Sequence, residues 1–111
     1  MGKRIIMPTD ENTCYLCGCY LNEYNRNLHH CFHGTANRKI ADREGLMVFL
    51  CKSCHTDGKD AVHRNKETDI AVQQDAQRVW ENKYKESYPY KNHAKEAARE
   101  AFRQLFGKSY L

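Results

Sequence analysis

The sequence predicts a small α+β fold in which a ββα unit precedes two C-terminal helices. Three observations predict it. Two C-x2-C pairs, Cys14/Cys17 ("CYLC") and Cys51/Cys54 ("CKSC"), bracket the first half of the chain. Short apolar runs of strand length lie beside and between them. Past residue 67 the apolar positions recur every ~3.6 residues instead. At 111 residues the chain suits one domain, with a core over 14–66 and a helical extension over 67–111.

Each element has a local reason. "KRIIMP" (3–8) is an apolar run closed by Pro8 and reads as a short strand. Gly18 supplies the turn of the first cysteine knuckle, and residues 26–33 read as extended. "GTANRKIADREG" (34–45), with glycines at both ends and polar residues between, reads as a loop. "LMVFLC" (46–51) is a second strand running into the second knuckle. A helix is expected from about Lys52, with Gly58 as its weak point. "TDIAVQQDAQRVWENKYKE" follows as a helix capped by Thr68 or Asp69, with Val72, Ala76, Val79, Trp80 and Tyr84 along one face. Pro89 ends it. "NHAKEAAREAFRQLFG" makes the last helix, with Asn92 a cap candidate and Gly107 in the position of a C-terminal cap. Its stripe of Ala94, Ala97, Ala98, Ala101, Phe102, Leu105 and Phe106 reads as core or interhelix seam.

Composition narrows the setting. The net charge is +4 with 29% charged residues, which permits an anionic partner without requiring one. No apolar run approaches ~20 residues, so no membrane span is expected. "MGKRIIMPTDEN" lacks the features of a secretory signal, so a cytoplasmic protein is expected. In that compartment six cysteines argue for metal rather than disulfides. Two intervening residues let a knuckle aim both thiolates inward, so Cys14, Cys17, Cys51 and Cys54 can fill the tetrahedral shell of a structural Zn²⁺. Cys19 can compete with Cys17 for a place, and Cys31 reads as a buried thiol.

A zinc held by four thiolates leaves the histidines of "LHHCFHG" free. His55 directly follows Cys54. If the zinc pins the helix start beside the hairpin, His55 emerges near His29 and His30. Two imidazoles could then hold a divalent cation, while a third exchanges protons near neutral pH. Consecutive strand residues face opposite sides, so His29 and His30 share a site only at a strand end, twist or bulge. His63 follows His55 by eight residues, roughly 80° off its face on an unbroken helix. It can join as a ligand if the chain bends near Gly58, and otherwise reads as a phosphate contact or a surface residue. His33 reads as a surface or hydrogen-bonding residue, and His93 as part of a cap region.

The pattern C-x2-C…HH…C-x2-C-H resembles the zinc-containing HNH (ββα-metal) endonucleases. The strings "GTANRK", "GLMVFLCKSCH", "GKDAVHRN" and "FGKSYL" resemble those of prophage-encoded members. The motif match covers roughly residues 14–64. The resemblance implies hydrolysis of DNA phosphodiester bonds, with His29 as strand metal ligand, His30 as general base and His55 as helix ligand. It implies Mg²⁺ or Mn²⁺ as the catalytic cation, with Zn²⁺ or Ni²⁺ as alternatives for imidazole ligands. The asparagine expected just before the second strand is replaced by Gly45. Asn37 can do its work from the loop, or is an ordinary turn asparagine.

Residues 26–66 carry eight basic side chains against four acidic ones. Arg38 and Lys39 in the loop, Lys59 one helical turn past His55, and Arg64 are candidate phosphate contacts. Read one by one they are equally a solvated charged surface. Two non-catalytic alternatives stand beside the nuclease: a zinc-stapled nucleic-acid-binding module, and an interaction module docking a larger phage recombination or packaging protein. A homodimer through the last helices is a further expectation, and a bacterial host cell is the setting the resemblance implies.

Overall fold

Two five-residue strands, Arg26–His30 (β1) and Met47–Cys51 (β2), pair antiparallel, with His29 opposite Val48 and His30 opposite Met47. The computed structural model describes residues 4–111. The sheet and its helices make a small α+β fold. β2 is apolar along its length because it is covered on both sides, and Met47, Val48 and Leu50 are all buried.

No strand forms over residues 4–8, and Lys3 of the expected strand lies outside the described residues. The segment ties itself to its surroundings at single points. The Ile6 amide donates to the Gly45 carbonyl at 2.9 Å. The Phe49 amide of β2 donates to Thr9 Oγ1 at 3.1 Å, and the Tyr15 amide donates to the Phe49 carbonyl at 2.9 Å. Isolated bonds of this kind satisfy β2 without a ladder.

Residues 34–45 are not a loop: Thr35–Glu44 is a helix, α1. The bracketing glycines are its end residues. Gly45 adopts the left-handed conformation (φ 79°) and returns its N–H to the Ala41 carbonyl. The apolar side of α1 is narrow, with Ala41 buried and Ile40 packed on the core, so little periodicity showed through the charges. Trp80 Nε1 donates to Glu44 Oε1 at 2.9 Å and clamps the end of α1 to the long helix described next.

The chain leaves β2 in a single π-helical turn, Ser53–Asp57, instead of a continuing α-helix. Gly58 is extended (φ −74°, ψ 159°) and ends it. The chain then doubles back, so that the Val62 amide meets the Cys54 carbonyl at 2.9 Å and the His63 amide meets the His55 carbonyl at 3.2 Å. Helix α2 spans Lys66–Ser87. Its cap is Asn65, whose side-chain oxygen accepts from the amides of Glu67 and Thr68 at 3.0 and 3.1 Å. Thr68 and Asp69, the expected caps, therefore lie inside the first turn. A short 3-10 turn over Lys91–His93 leads to α3, Ala94–Phe106. His93 occupies the cap position of α3, and Asn92 lies within the 3-10 turn. Gly107 (φ 89°) closes α3 as expected.

The core lies between the sheet, α2 and α3. Phe32, just past β1, is fully buried, with its ring 4.4 Å from Phe106, 5.1 Å from Tyr110 and 5.6 Å from Phe102. Val72 and Ala76 of α2 close the cluster, and Tyr15 Oη donates to Asp75 Oδ2 at 2.8 Å, fixing the first knuckle to α2. No helix among the described residues is long and apolar enough to cross a membrane.

Candidate metal centre and histidine cleft

The first knuckle is built by backbone turns around sulfur. The Cys17 amide donates to Cys14 Sγ at 3.5 Å, the Gly18 amide donates to the Cys14 carbonyl at 3.0 Å, and the left-handed Gly18 (φ 77°) turns the chain back. The second knuckle repeats this, with the Cys54 amide on Cys51 Sγ at 3.4 Å. β2 and the first knuckle meet through Tyr15 and Phe49, which brings Cys17 Sγ to 3.7 Å from Cys51 Sγ. Thiolates at ~2.3 Å from a tetrahedral Zn²⁺ stand about 3.8 Å apart. The cysteine cluster could therefore hold a metal such as zinc.

The tightest set of four is Cys14, Cys17, Cys19 and Cys51, whose sulfurs lie within 4.8 Å of one another. Cys19 joins the cluster because the chain curls back past Gly18 with the Cys14 amide on the Cys19 carbonyl at 2.9 Å. Cys54 also meets the thiols of Cys51, Cys17 and Cys14, so five sulfurs gather there. Burial, followed by hydrogen bonds with the thiols of Cys51, Cys17 and Cys14, pushes its pKa up. At Cys14 burial opposes the thiolate, but backbone hydrogen bonds from Cys17, Cys51 and Leu16 outweigh it and bring the pKa down to about 6. Cys31 is fully buried away from the cluster, and its burial pushes its pKa up.

Four imidazoles, those of His29, His33, His55 and His63, gather where the end of β1 meets the π-helical turn. His29 Nε2 is buried and has no hydrogen-bond partner. The His29 ring lies 5.3 Å from His55, 5.2 Å from His63 and 5.6 Å from His33. The Nε2 atoms of His55 and His63 approach to 3.1 Å. The bend at Gly58 achieves this by returning His63 onto the π-helical turn. Burial, then the neighbouring imidazoles of His55, His63, His33 and His30, push the His29 pKa down to about 3. Burial and then His63 lower that of His55. Neutral nitrogens with convergent lone pairs are the donors a dication needs, so His29, His55 and His63 fit a cation.

His30 turns to the opposite face, as a strand dictates, and its Nε2 meets Asp42 Oδ1 of α1 at 3.2 Å. It is the last residue of β1, so it still reaches the rim of the cleft. That cleft, about 420 Å³, is lined by His29, His30, His33, His55, His63 and Arg38 among others. A second cleft of about 580 Å³ adjoins it across His30 and Arg38 and is lined also by Lys39 and Asp42. Arg38 and Lys39 thus flank His30.

The other expected contacts lie elsewhere. Asn37 sits in α1, not in a loop, and lines neither cleft. Lys59 does not share a helical face with His55, because the helix stops at Gly58. Arg64 donates to the Asp57 carbonyl at 2.7 Å and braces the π-helical turn.

Three partners were missed from the sequence. Asn27 Oδ1 meets His55 Nδ1 at 2.7 Å and so directs His55 Nε2 toward the cleft. Its position two residues before His29 puts it on the same strand face, a signal that was available. Asp42 and Asp69, the partners of His30 and His33, are distant in sequence and carried no such signal.

Neither the family models, the curated proteins nor the solved structures compared with this chain include a match to it.

Proposed function

We propose that the protein is a metal-dependent nuclease of the HNH kind, hydrolysing DNA phosphodiester bonds in the histidine cleft. The observation that carries this reading is the convergence of His29, His55 and His63 within reach of one ion, with His30 and Arg38 on the rim of the same cleft. When bound, the cation supplies charge stabilisation at the phosphate and the departing oxygen.

The chain's own residues do the rest. Asp42 accepts the Nε2 proton of His30, which leaves the lone pair on Nδ1. Nδ1 takes a proton from water as the water oxygen attacks phosphorus. The P–O3′ bond breaks, O3′ takes a proton from a solvent water, the His30 proton passes to solvent, and the products are a 5′-phosphate and a 3′-hydroxyl. Arg38 and Lys39, exposed on α1, hold flanking phosphates. A zinc held by the cysteine cluster would keep the first knuckle and β2 together.

Plasmid nicking with Mg²⁺, Mn²⁺, Zn²⁺ and Ni²⁺ tests the proposal. Wild type cleaves with at least one of them. His30→Ala loses roughly 10²–10⁴-fold in rate while still binding DNA. Absence of cleavage with every cation refutes the nuclease and favours a binding or docking module.

A further inference from the structure

His33 and Asp69 are unused by the nuclease reading, yet they adjoin its ion site. His33 lies three residues past β1, and Asp69 lies in the first turn of α2. His33 Nε2 meets Asp69 Oδ1 at 2.7 Å. Donor atoms of His29, His33 and Asp69 lie within 4.8 Å of one another, as do those of His29, His55 and His63. The two sets share His29, whose Nε2 is buried and without a partner. The two sets meet at His29, and its ring lies within 5.6 Å of those of His33, His55 and His63, so both sets face one space. The ring of His33 also lies 5.5 Å from that of His63, which closes the circle of imidazoles.

The geometry points to one cation seat closed from the α2 side by His33 and Asp69, as well as by His29, His55 and His63. The inference rests on the proposed three-histidine site and extends it. Its chemical consequence is selectivity. Mg²⁺ favours oxygen donors and retains its waters, whereas imidazole suits Zn²⁺, Ni²⁺ and Co²⁺. A seat with four imidazoles and one carboxylate takes a late first-row dication and discriminates against Mg²⁺. It also couples the start of α2 to the ion, because Asp69 lies one turn from the Asn65 cap.

Co²⁺ titration of protein already loaded with one equivalent of Zn²⁺ tests this, read by calorimetry and by the visible d–d absorption of Co²⁺. Wild type binds one Co²⁺, and excess Mg²⁺ does not displace it. His33→Ala and Asp69→Asn each weaken Co²⁺ binding by about 10–100-fold and shift the absorption band. His55→Ala abolishes binding. Wild-type affinity and spectrum in both His33→Ala and Asp69→Asn, with loss in His55→Ala, overturn this inference and leave the three-histidine site standing. Wild-type binding in all three variants overturns the three-histidine site as well. Binding of two Co²⁺ per chain refutes the single seat. His33 is exposed and Asp69→Asn is isosteric, so folding is retained, and far-UV circular dichroism checks it.

Discussion

Phe32→Ala removes the side chain that anchors the histidine-bearing turn to the core. Phe32 is fully buried between His30 and His33 in sequence, with its ring stacked among Phe102, Phe106 and Tyr110. Truncating a buried phenylalanine costs about 3–5 kcal/mol through lost transfer energy and the cavity left behind. Loss of three ring contacts puts this site no lower than the middle of that range, about 4 kcal/mol. For a chain of 111 residues the unfolding entropy is roughly 0.23 kcal/mol per degree, so Tm falls by about 17 °C. The assay is thermal and urea unfolding of the zinc-loaded protein, followed by circular dichroism. Phe32→Leu, which fills most of the volume, loses about 1.5 kcal/mol or less. A loss below about 1 kcal/mol in Phe32→Ala would show that the turn is not held by this ring and would refute the packing argument.

Two other substitutions test the frame. Gly45→Ala forces a left-handed residue to carry a Cβ that overlaps the Arg4 carbonyl, so it lowers stability by more than about 1 kcal/mol, read from the urea midpoint. Cys51→Ser removes the buried thiol that joins the two knuckles and lowers zinc affinity steeply, whereas Cys31→Ala, outside the cluster, retains one zinc per chain by metal analysis.

The second strand, the two long helices and the gathering of knuckle cysteines were legible because each is a local pattern. A run such as "MVFLC" or a stripe such as Val72, Ala76 and Trp80 declares its own burial. Helix α1 was not legible, because its buried side amounts to little more than Ala41 and Ile40 and its capping glycines imitate loop punctuation. The arrival of Cys19 beside Cys14, Cys17 and Cys51 depends on how the chain curls after Gly18, which spacing does not encode. The pairs His30–Asp42 and His33–Asp69 join residues 12 and 36 positions apart, so only the folded chain brings them together. The same gap explains His63: its geometry depended on whether Gly58 would continue or break the helix, and Gly58 breaks it.

The bonds that Thr9 and Tyr15 make to Phe49 also have a bearing on how copies of this chain meet. A two-stranded sheet ordinarily offers bare ladders that recruit further strands from neighbours. Here the main-chain donor and acceptor of Phe49 are already taken by the chain's own beginning. Fibre-like growth from that side would first require peeling the leading segment, and the cysteine knuckle it carries, away from the body of the molecule.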